Sequence, residues 1–452
     1  MKRRIISLIL ALAIALALPG CGSSSAQWRE STGEQYEIAR AIYPEQVKQP
    51  NYDDYTDFKS YRHDWEIWRS DRDDHRDRAV DAKSMADFLT ASVPEFLTGT
   101  QGNEIYSPVN VYMALAMLAE LTDGNSRDQI LSLLGSEGID DLRAQAAKIW
   151  DTAYRDNGAA SSVLANSLWL NEDVDFVQET MDSVARNYYA SSYRGEMGSD
   201  GLNRALQGWI NEQTSGLMEE QVSQQELSAD TILALASTIY FCAGWSDEFN
   251  ADRTEKGEFI ILSPDGGTYP CEYMRSFINS SYYWSENFSA VSKRLENDGR
   301  MWLIKPDSDT FVGQLLDDPA TMDFLLSNGE WENRKEMMID LSVPKFDVSS
   351  SIDLKNGMQR LGLTDIFDPV LSDFTPMTTQ ADGICLSQAN HAARVKIDEE
   401  GVEAAAFTVM ATPAEGRPPT EEIEFILDRP FLFAITTESG LPLFMGVVQK
   451  PV

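Results

Sequence analysis

Helical and strand periodicities occupy different parts of this chain. Between residues 84 and 97 apolar side chains recur every three or four positions, which predicts an amphipathic helix. Ser107 and Pro108 are a typical helix start, and the apolar run at 109–121 that follows predicts a helix buried on all sides. Residues 140–154 show a third helical pattern, with charged residues on one face.

Strand patterns begin at residues 160–170 and dominate after about residue 225. The later predicted strands cover residues 233–241, 258–262, 301–304, 336–343, 422–427 and 432–436. Helices early and strands late indicate a mixed α+β fold. Neither an internal repeat nor a second boundary is visible between about residue 82 and residue 452.

The first twenty residues have the pattern of an export signal. A basic start at residues 2–4 precedes an apolar run at 5–18, which is short for a membrane-spanning helix. The sequence Leu18-Pro19-Gly20-Cys21 resembles the lipobox of bacterial lipoproteins. This resemblance implies that residues 1–20 are removed and that acylated Cys21 anchors the protein to the outer face of the cell membrane. An ordinary signal peptide is the alternative interpretation.

After the small residues 22–26, residues 27–81 mix aromatic side chains with charges of both signs and end in an alternating-charge run at 70–78. We expect residues 21–81 to be a locally packed extension that acts as a tether between the lipid anchor and the folded domain at 82–452.

Composition excludes several classes of function. The formal net charge of −35 over 452 residues would repel a nucleic-acid backbone. Three histidines and four cysteines, widely spaced, predict no metal site. The G-x-S-x-G, Walker, H-E-x-x-H and C-x-x-C patterns are absent, and His391 is the one histidine after residue 82. We therefore expect neither an enzyme nor a bound cofactor.

Several short motifs occur in the order typical of one family. They are Ser107-Pro108, residues 165–169 (ANSLW), residues 209–216 (WINEQTSG), Gly244-Trp245, Val343-Pro344-Lys345, the stretch 398–408 (DEEGVEAAAFT), and the C-terminal segments 425–435 and 443–448. Together they resemble the serpins, the superfamily of conformational serine protease inhibitors. The resemblance covers about residues 82–452.

The resemblance implies a single domain with three β-sheets, about eight or nine helices and an exposed reactive-centre loop at about 399–420. It also implies a monomer that inhibits serine proteases, with cysteine proteases as an alternative target class. The protease cleaves the loop and forms an acyl-enzyme, and the cleaved loop then inserts into the central sheet and traps that covalent complex. A non-inhibitory serpin and a surface solute-binding lipoprotein are the alternatives.

The family's loop hinge matches a stretch of small residues without proline. Its members here are Glu399, Gly401, Val402, Glu403, Ala404, Ala405, Ala406 and Thr408. Period-two alternation places the even-numbered residues on one face and the odd-numbered ones on the other. Val402 stands where the family usually has threonine or serine. The family's spacing predicts cleavage at Glu415-Gly416, with Ala414-Glu415 and Arg417-Pro418 as alternatives.

Two further sites follow from the resemblance. The breach, where the loop enters the sheet, matches Trp245, Lys345 and Glu399, and the shutter beneath the opening sheet matches Ser107, Asn110, Ser237 and His391. At the shutter an asparagine and a serine have exchanged places relative to the family. Acidic residues at 140–151 interrupt the basic helix face by which some serpins bind heparin, so we expect no heparin cofactor.

Overall fold

The computed structural model describes residues 33–98, 102–158, 160–222, 225–261, 266–296, 299–308, 310–380, 382–402 and 419–451. Eleven α-helices lie in these ranges: α1 (Phe58–Arg78), α2 (Ala86–Leu97), α3 (Pro108–Leu121), α4 (Gly124–Leu134), α5 (Ile139–Ala153), α6 (Gln178–Asn187), α7 (Asp200–Gln213), α8 (Glu219–Val222), α9 (Val312–Asp317), α10 (Pro319–Leu326) and α11 (Lys355–Arg360). Ten of them follow residue 81, slightly more than predicted, because several span only four to eight residues.

The same ranges contain the strands β1 (Glu37–Ala39), β2 (Glu104–Tyr106), β3 (Arg155–Asp156), β4 (Ala160–Asn171), β5 (Ala190–Gly195), β6 (Leu233–Gly244), β7 (Glu255–Ile260), β8 (Thr268–Trp284), β9 (Phe288–Arg294), β10 (Arg300–Pro306), β11 (Arg334–Pro344), β12 (Phe346–Asp353), β13 (Leu386–Ile397), β14 (Gly401–Val402), β15 (Glu422–Ile426), β16 (Phe431–Thr436) and β17 (Pro442–Val448). The mixed α+β class predicted from the pattern is confirmed.

One sheet, called the large sheet below, has the strand order β1-β5-β4-β6-β14-β13-β12, and β3 pairs with β4 at its side. Strands β6 and β13 are parallel neighbours from Leu233 and Leu386 up to Thr238 and Ala392. Above that point their direct ladder ends. The two-residue strand β14 lies between them at the top, antiparallel to both.

A second hydrogen-bonded network has the order β15-β11-β8-β9-β10-β16-β17-β2, with β7 beside β8. Its seventeen-residue strand β8 pairs with β11 over most of its length but with β9 only at Tyr283 and Trp284. The network therefore consists of two sheet regions joined through one long strand, which together with the large sheet account for the three sheets implied by the resemblance.

Helix α3 lies in the core, against β4 and β6 of the large sheet and β17 of the second network. Every residue from Pro108 to Leu121 is buried, as the apolar run predicted. The Ser107 hydroxyl caps the helix by accepting from the Asn110 N–H. This cap fixes where the first turn meets the large sheet.

The N-terminal extension packs onto the domain in a way that sequence patterns did not predict. Strand β1 adds an edge to the large sheet beside β5. The Tyr43 ring then stacks with Tyr154 and Tyr189, and the 21-residue helix α1 places the buried side chains of Trp68 and His75 against the domain. Within the described ranges, no helix is long and apolar enough to cross a bilayer.

Candidate functional site at the opening of the large sheet

Strand β14 occupies the top of the opening between β6 and β13. Val402 pairs with Ala243 on one side and Ile397 on the other, and all three side chains are buried. A Cβ on Gly401 would overlap the Ala243 carbonyl oxygen and lie 2.7 Å from the Gly244 Cα. Both contacts are with backbone that cannot rotate away, so this position requires glycine.

A tight turn reverses the chain between β13 and β14. The Asp398 N–H donates to the Gly401 carbonyl at 3.0 Å, and its carboxylate accepts from the N–H groups of Glu400 and Gly401 at 3.0 and 3.3 Å. An aspartate carboxylate that accepts from the backbone N–H groups two and three residues further along commonly stabilises such a turn. Asp398 therefore sets the entry angle of the loop.

Trp245 holds this turn against the end of β6. Its backbone N–H donates to the Glu400 carbonyl at 2.8 Å and its indole N–H donates to the Asp398 carbonyl at 2.9 Å. The Phe249 N–H donates to the Glu399 carbonyl at 3.0 Å. Three consecutive carbonyls of the turn are thus bonded to one short segment, and the buried indole sits directly under the point where the loop enters.

An ion pair fixes the outer side of the same turn. Lys345 Nζ lies 2.8 Å from a Glu399 carboxylate oxygen and 3.2 Å from one of Glu272. Burial would raise the pKa of Glu399, but hydrogen bonds from Lys345 and the Thr254 hydroxyl outweigh it and lower that pKa. Burial would lower the pKa of Lys345, but the carboxylates of Glu399 and Glu272 outweigh it and raise that pKa. Both groups are therefore charged over a wide pH range.

Lys293, which sequence reasoning did not single out, supports the breach from below. Its ammonium lies 4.3 Å from the centre of the Phe249 ring and 5.6 Å from that of Trp245. Burial lowers the pKa of Lys293 to about 8, although Asp247 opposes this shift. A cation beneath two aromatic faces stabilises their mutual position.

The four residues predicted for the shutter come together where the β6–β13 ladder ends. Asn110 on α3 donates to the Ser237 hydroxyl at 2.8 Å and to the Thr238 carbonyl at 2.7 Å. His391 lies across from Ser237, with 3.4 Å between its Nδ1 and the hydroxyl, and it accepts at Nε2 from the Ser107 N–H at 3.0 Å. The exchanged asparagine and serine thus bond each other directly.

These contacts assign the His391 tautomer. A backbone N–H can only donate, so Nε2 carries no proton, the ring proton resides on Nδ1, and it points at Ser237. Burial lowers the pKa of His391 to about 4. The His391 ring is fully buried, and its contacts join the Ser107 backbone to the Ser237 hydroxyl inside the protein, as expected of a structural group.

A fifth shutter residue, Asn166 on β4, was missed. Its side-chain amide donates to the side-chain oxygen Oδ1 of Asn110 at 3.2 Å, so the Asn110 side chain links α3 to both β4 and β6. The motif at 165–169 contains this residue, but nothing in its local pattern shows that it faces α3.

The remaining predicted residues lie outside the described ranges. They are Cys21, the hinge residues Glu403, Ala404, Ala405, Ala406 and Thr408, and the predicted scissile pair Glu415 and Gly416. Among the described residues no group of three or more histidine, cysteine, aspartate or glutamate side chains is arranged to hold a metal ion.

Comparison with known proteins agrees with this geometry. A family model described as "Serpin (serine protease inhibitor)" matches residues 84–451. Serpin-ZX of Arabidopsis thaliana is 27% identical over 77% of this chain and 92% of its own length, and alpha-1-antitrypsin 1-2 of Mus musculus is 28% identical over 82% and 89%. The structure of Arabidopsis AtSerpin1 in its native stressed conformation superposes with a TM-score of 0.71 at 24% identity, covering 82% of this chain and 98% of that one.

Proposed function

Because the chain belongs to the serpin family of serine protease inhibitors, we propose that it is itself an inhibitor, which is cleaved in its reactive loop and traps the protease by inserting that loop between β6 and β13. At the level of the family, this places it with inhibitors and not with enzymes. The observation that carries the proposal is β14, which already occupies the first two positions of an additional strand.

Insertion requires β6 and β13 to separate by one strand spacing, about 4.8 Å. Ser237 and His391 are direct ladder partners on these two strands, so their hydrogen bond must break as the loop passes. After that bond breaks, Asn110 can still donate to Ser237 on β6, and the Ser107 N–H can still donate to His391 on β13. The shutter therefore resists opening until the loop supplies new hydrogen bonds.

The chemistry uses the catalytic groups of the protease. Its serine hydroxyl attacks the scissile carbonyl, the new amino terminus leaves, and the loop remains attached as an ester. Slowing hydrolysis of that ester a millionfold requires about 8 kcal/mol, more than the ~3–4 kcal/mol lost with one oxyanion donor. A strand of about a dozen residues, at ~1 kcal/mol for each net hydrogen bond, supplies work on this scale.

The register of Val402 supports the alternation predicted for the hinge. Its side chain is buried in the main core, so an extended strand continuing from it would direct Ala404 and Ala406 to the same face. Glu403 and Ala405 would then face the other side. Small side chains on the core face suit a strand that must slide into an already packed sheet.

The predicted scissile bond, Glu415-Gly416, favours a target that accepts glutamate or a small residue. Arg417 would suit a trypsin-like protease, but the tertiary amide to Pro418 is a poor substrate. A panel of serine proteases mixed with the protein should give an SDS-resistant adduct with at least one of them, and none when the protease serine is replaced by alanine. Cleavage without adduct across the panel would favour a non-inhibitory serpin.

A verified single cut within residues 411–417 should raise the thermal unfolding temperature sharply, since insertion relieves a metastable sheet. An unchanged unfolding temperature after that cut would rule out the insertion mechanism, whatever the target protease.

We further propose that the protein is a monomer held at the outer face of the cell membrane through acylated Cys21. Cys21→Ala should move it out of the membrane fraction and leave inhibition unaltered. Cys271→Ala is the matched control, since it removes a half-buried thiol away from the N-terminus. Equal membrane fractionation of the two variants would contradict the lipid anchor.

A further inference from the structure

Helix α1 carries an aromatic stripe that the inhibitory fold does not use. Phe58, Tyr61, Trp65 and Trp68 follow one another at intervals of three and four residues, which places them on one helix face. Trp68 is buried at the domain end of the stripe, whereas Phe58 at the other end is 61% exposed. The stripe therefore begins in the domain and runs out to its surface.

Ring contacts join these side chains to two tyrosines that precede the helix. Tyr52 and Tyr55 pack edge-on against Tyr61, with ring centres 5.2 and 5.6 Å apart, and the Tyr55 hydroxyl donates to Asp64 at 2.8 Å. Tyr61 contacts Trp65, and Trp65 contacts Trp68 at 4.9 Å. Tyr52 is 56% exposed. We call Tyr52, Tyr55, Phe58, Tyr61 and Trp65 the aromatic patch.

Two arginines border the patch. At 100° per residue, Arg62 and Arg69 lie on the same side of the stripe. Their partners Glu66 and Asp73 are 3.3 and 3.9 Å away, and both guanidinium groups are about two-thirds exposed, so these ion pairs are weak and exchangeable.

The charge of the helix sets it apart from the rest of the protein. Helix α1 has six arginine or lysine and six aspartate or glutamate residues, 6 − 6 = 0, in a chain of net charge −35. The helix is thus less acidic than the rest of the chain. Because Asp53, Asp54 and Asp57 also flank the patch, docking depends on burial of the aromatic rings and on the two arginines.

We propose that the aromatic patch docks at the headgroup boundary of the bilayer that holds the acylated N-terminus. This inference rests on the proposed lipid anchor. Only residues 22–32 separate Cys21 from Gly33, a reach of about 40 Å when extended. Tyrosine and tryptophan rings are enriched at this depth of a membrane, and exposed arginines bind lipid phosphates. Because α1 packs against α5 and Arg78 lies 3.6 Å from Asp151 of that helix, docking would also fix the orientation of the inhibitor on the membrane.

The test uses the polypeptide 22–452, which has neither signal segment nor acyl chain, and phosphatidylcholine vesicles containing some phosphatidylglycerol. Sedimentation with vesicles should weaken by about tenfold for Phe58→Ser combined with Trp65→Ser. Ile67→Ser is the matched control, because Ile67 is 46% exposed on the same helix but lies about 200° around from Trp65. This variant should bind vesicles as the parent does.

Equal vesicle binding by all three proteins would overturn the proposal, as would no binding by the parent. Concentration-dependent dimerisation that the double substitution abolishes, without vesicle binding, would assign the patch to a second copy of the chain. Because no acyl chain is present, these outcomes do not depend on whether Cys21 is modified. Failure of the anchor itself would appear only in the fractionation of Cys21→Ala.

Discussion

The buried imidazole of His391 makes the native state sensitive to acid in a defined pH window. In the folded protein its pKa is about 4, whereas the ordinary value is 6.5. Between pH 4 and pH 6.5 the unfolded chain therefore binds more protons at this residue than the folded protein does, so acid favours unfolding. Its contribution to stability is therefore complete above pH 6.5, is lost as the pH falls toward about 4, and does not change further below that.

The magnitude follows from the two pKa values. Between pH 7.5 and pH 5.0 the unfolded imidazole becomes protonated and the folded one does not, which costs about 2 kcal/mol of unfolding free energy. The structural cause is burial of the ring, which disfavours its charged form. The Ser107 N–H, 3.0 Å from Nε2, also occupies the place where the second proton would have to go.

His391→Gln removes this titration. At pH 7.5 the variant should be less stable by about 1–2 kcal/mol through lost hydrogen bonding and packing against Tyr106. At pH 5.0 the parent has lost about 2 kcal/mol and the variant has not, so the variant should be as stable as the parent or more stable by up to about 1 kcal/mol. His63→Gln, on an exposed position of α1, is the matched control and should keep the parent's pH dependence.

Urea unfolding followed by tryptophan fluorescence at the two pH values measures these differences. Comparing variant with parent cancels the effect of the 72 acidic residues and of His75, which all proteins share. A difference between parent and His391→Gln that stays the same within about 0.5 kcal/mol from pH 7.5 to 5.0 would refute the reasoning.

Three further predictions concern the breach and the hinge. Gly401→Ala places a methyl group against the backbone of β6 at Ala243, so thermal unfolding should show a loss of stability of about 1–3 kcal/mol. An unchanged unfolding temperature would contradict the tight fit. Lys345→Met should lower the free energy of unfolding in urea by about 1–2 kcal/mol, since it leaves the largely buried Glu399 without its ion pair. The control Lys335→Met removes an exposed pair with Glu421 and should cost less than about 0.5 kcal/mol. Equal costs would argue against a structural role for the breach ion pair. Ala404→Arg should yield mainly cleaved product and Ala405→Arg mainly protease adduct, because only the first puts a charge on the core face; equal ratios on a gel would disprove the register.

The sequence alone was sufficient for the class of fold and for most of its elements. The buried helix at 108–121 and the strands around 233–241, 301–304 and 336–343 were predictable because amphipathic periods and apolar runs report burial locally. The ordered motifs then identified the family that the comparisons show.

Helix α1 was not predictable in this way. Its aromatic side chains recur at helical intervals, but charges of both signs surround them, so the apolar stripe is too narrow to indicate a core-facing helix. Likewise, strand β1 has three residues and exists only because β5 presents an open edge.

Tertiary structure alone decided how the functional residues meet. Ser107 and His391 are 284 positions apart and Asn110 and Asn166 are 56 apart, and no local pattern states that these groups share one hydrogen-bond network. Their meeting requires α3 to pack beneath the point where β6 and β13 separate. Sequence periodicity encodes which face of an element is buried. Every polar group on such a face must find a hydrogen bond once it leaves water. Its partner is set by the packing of elements that are distant in the chain, and periodicity does not report that packing.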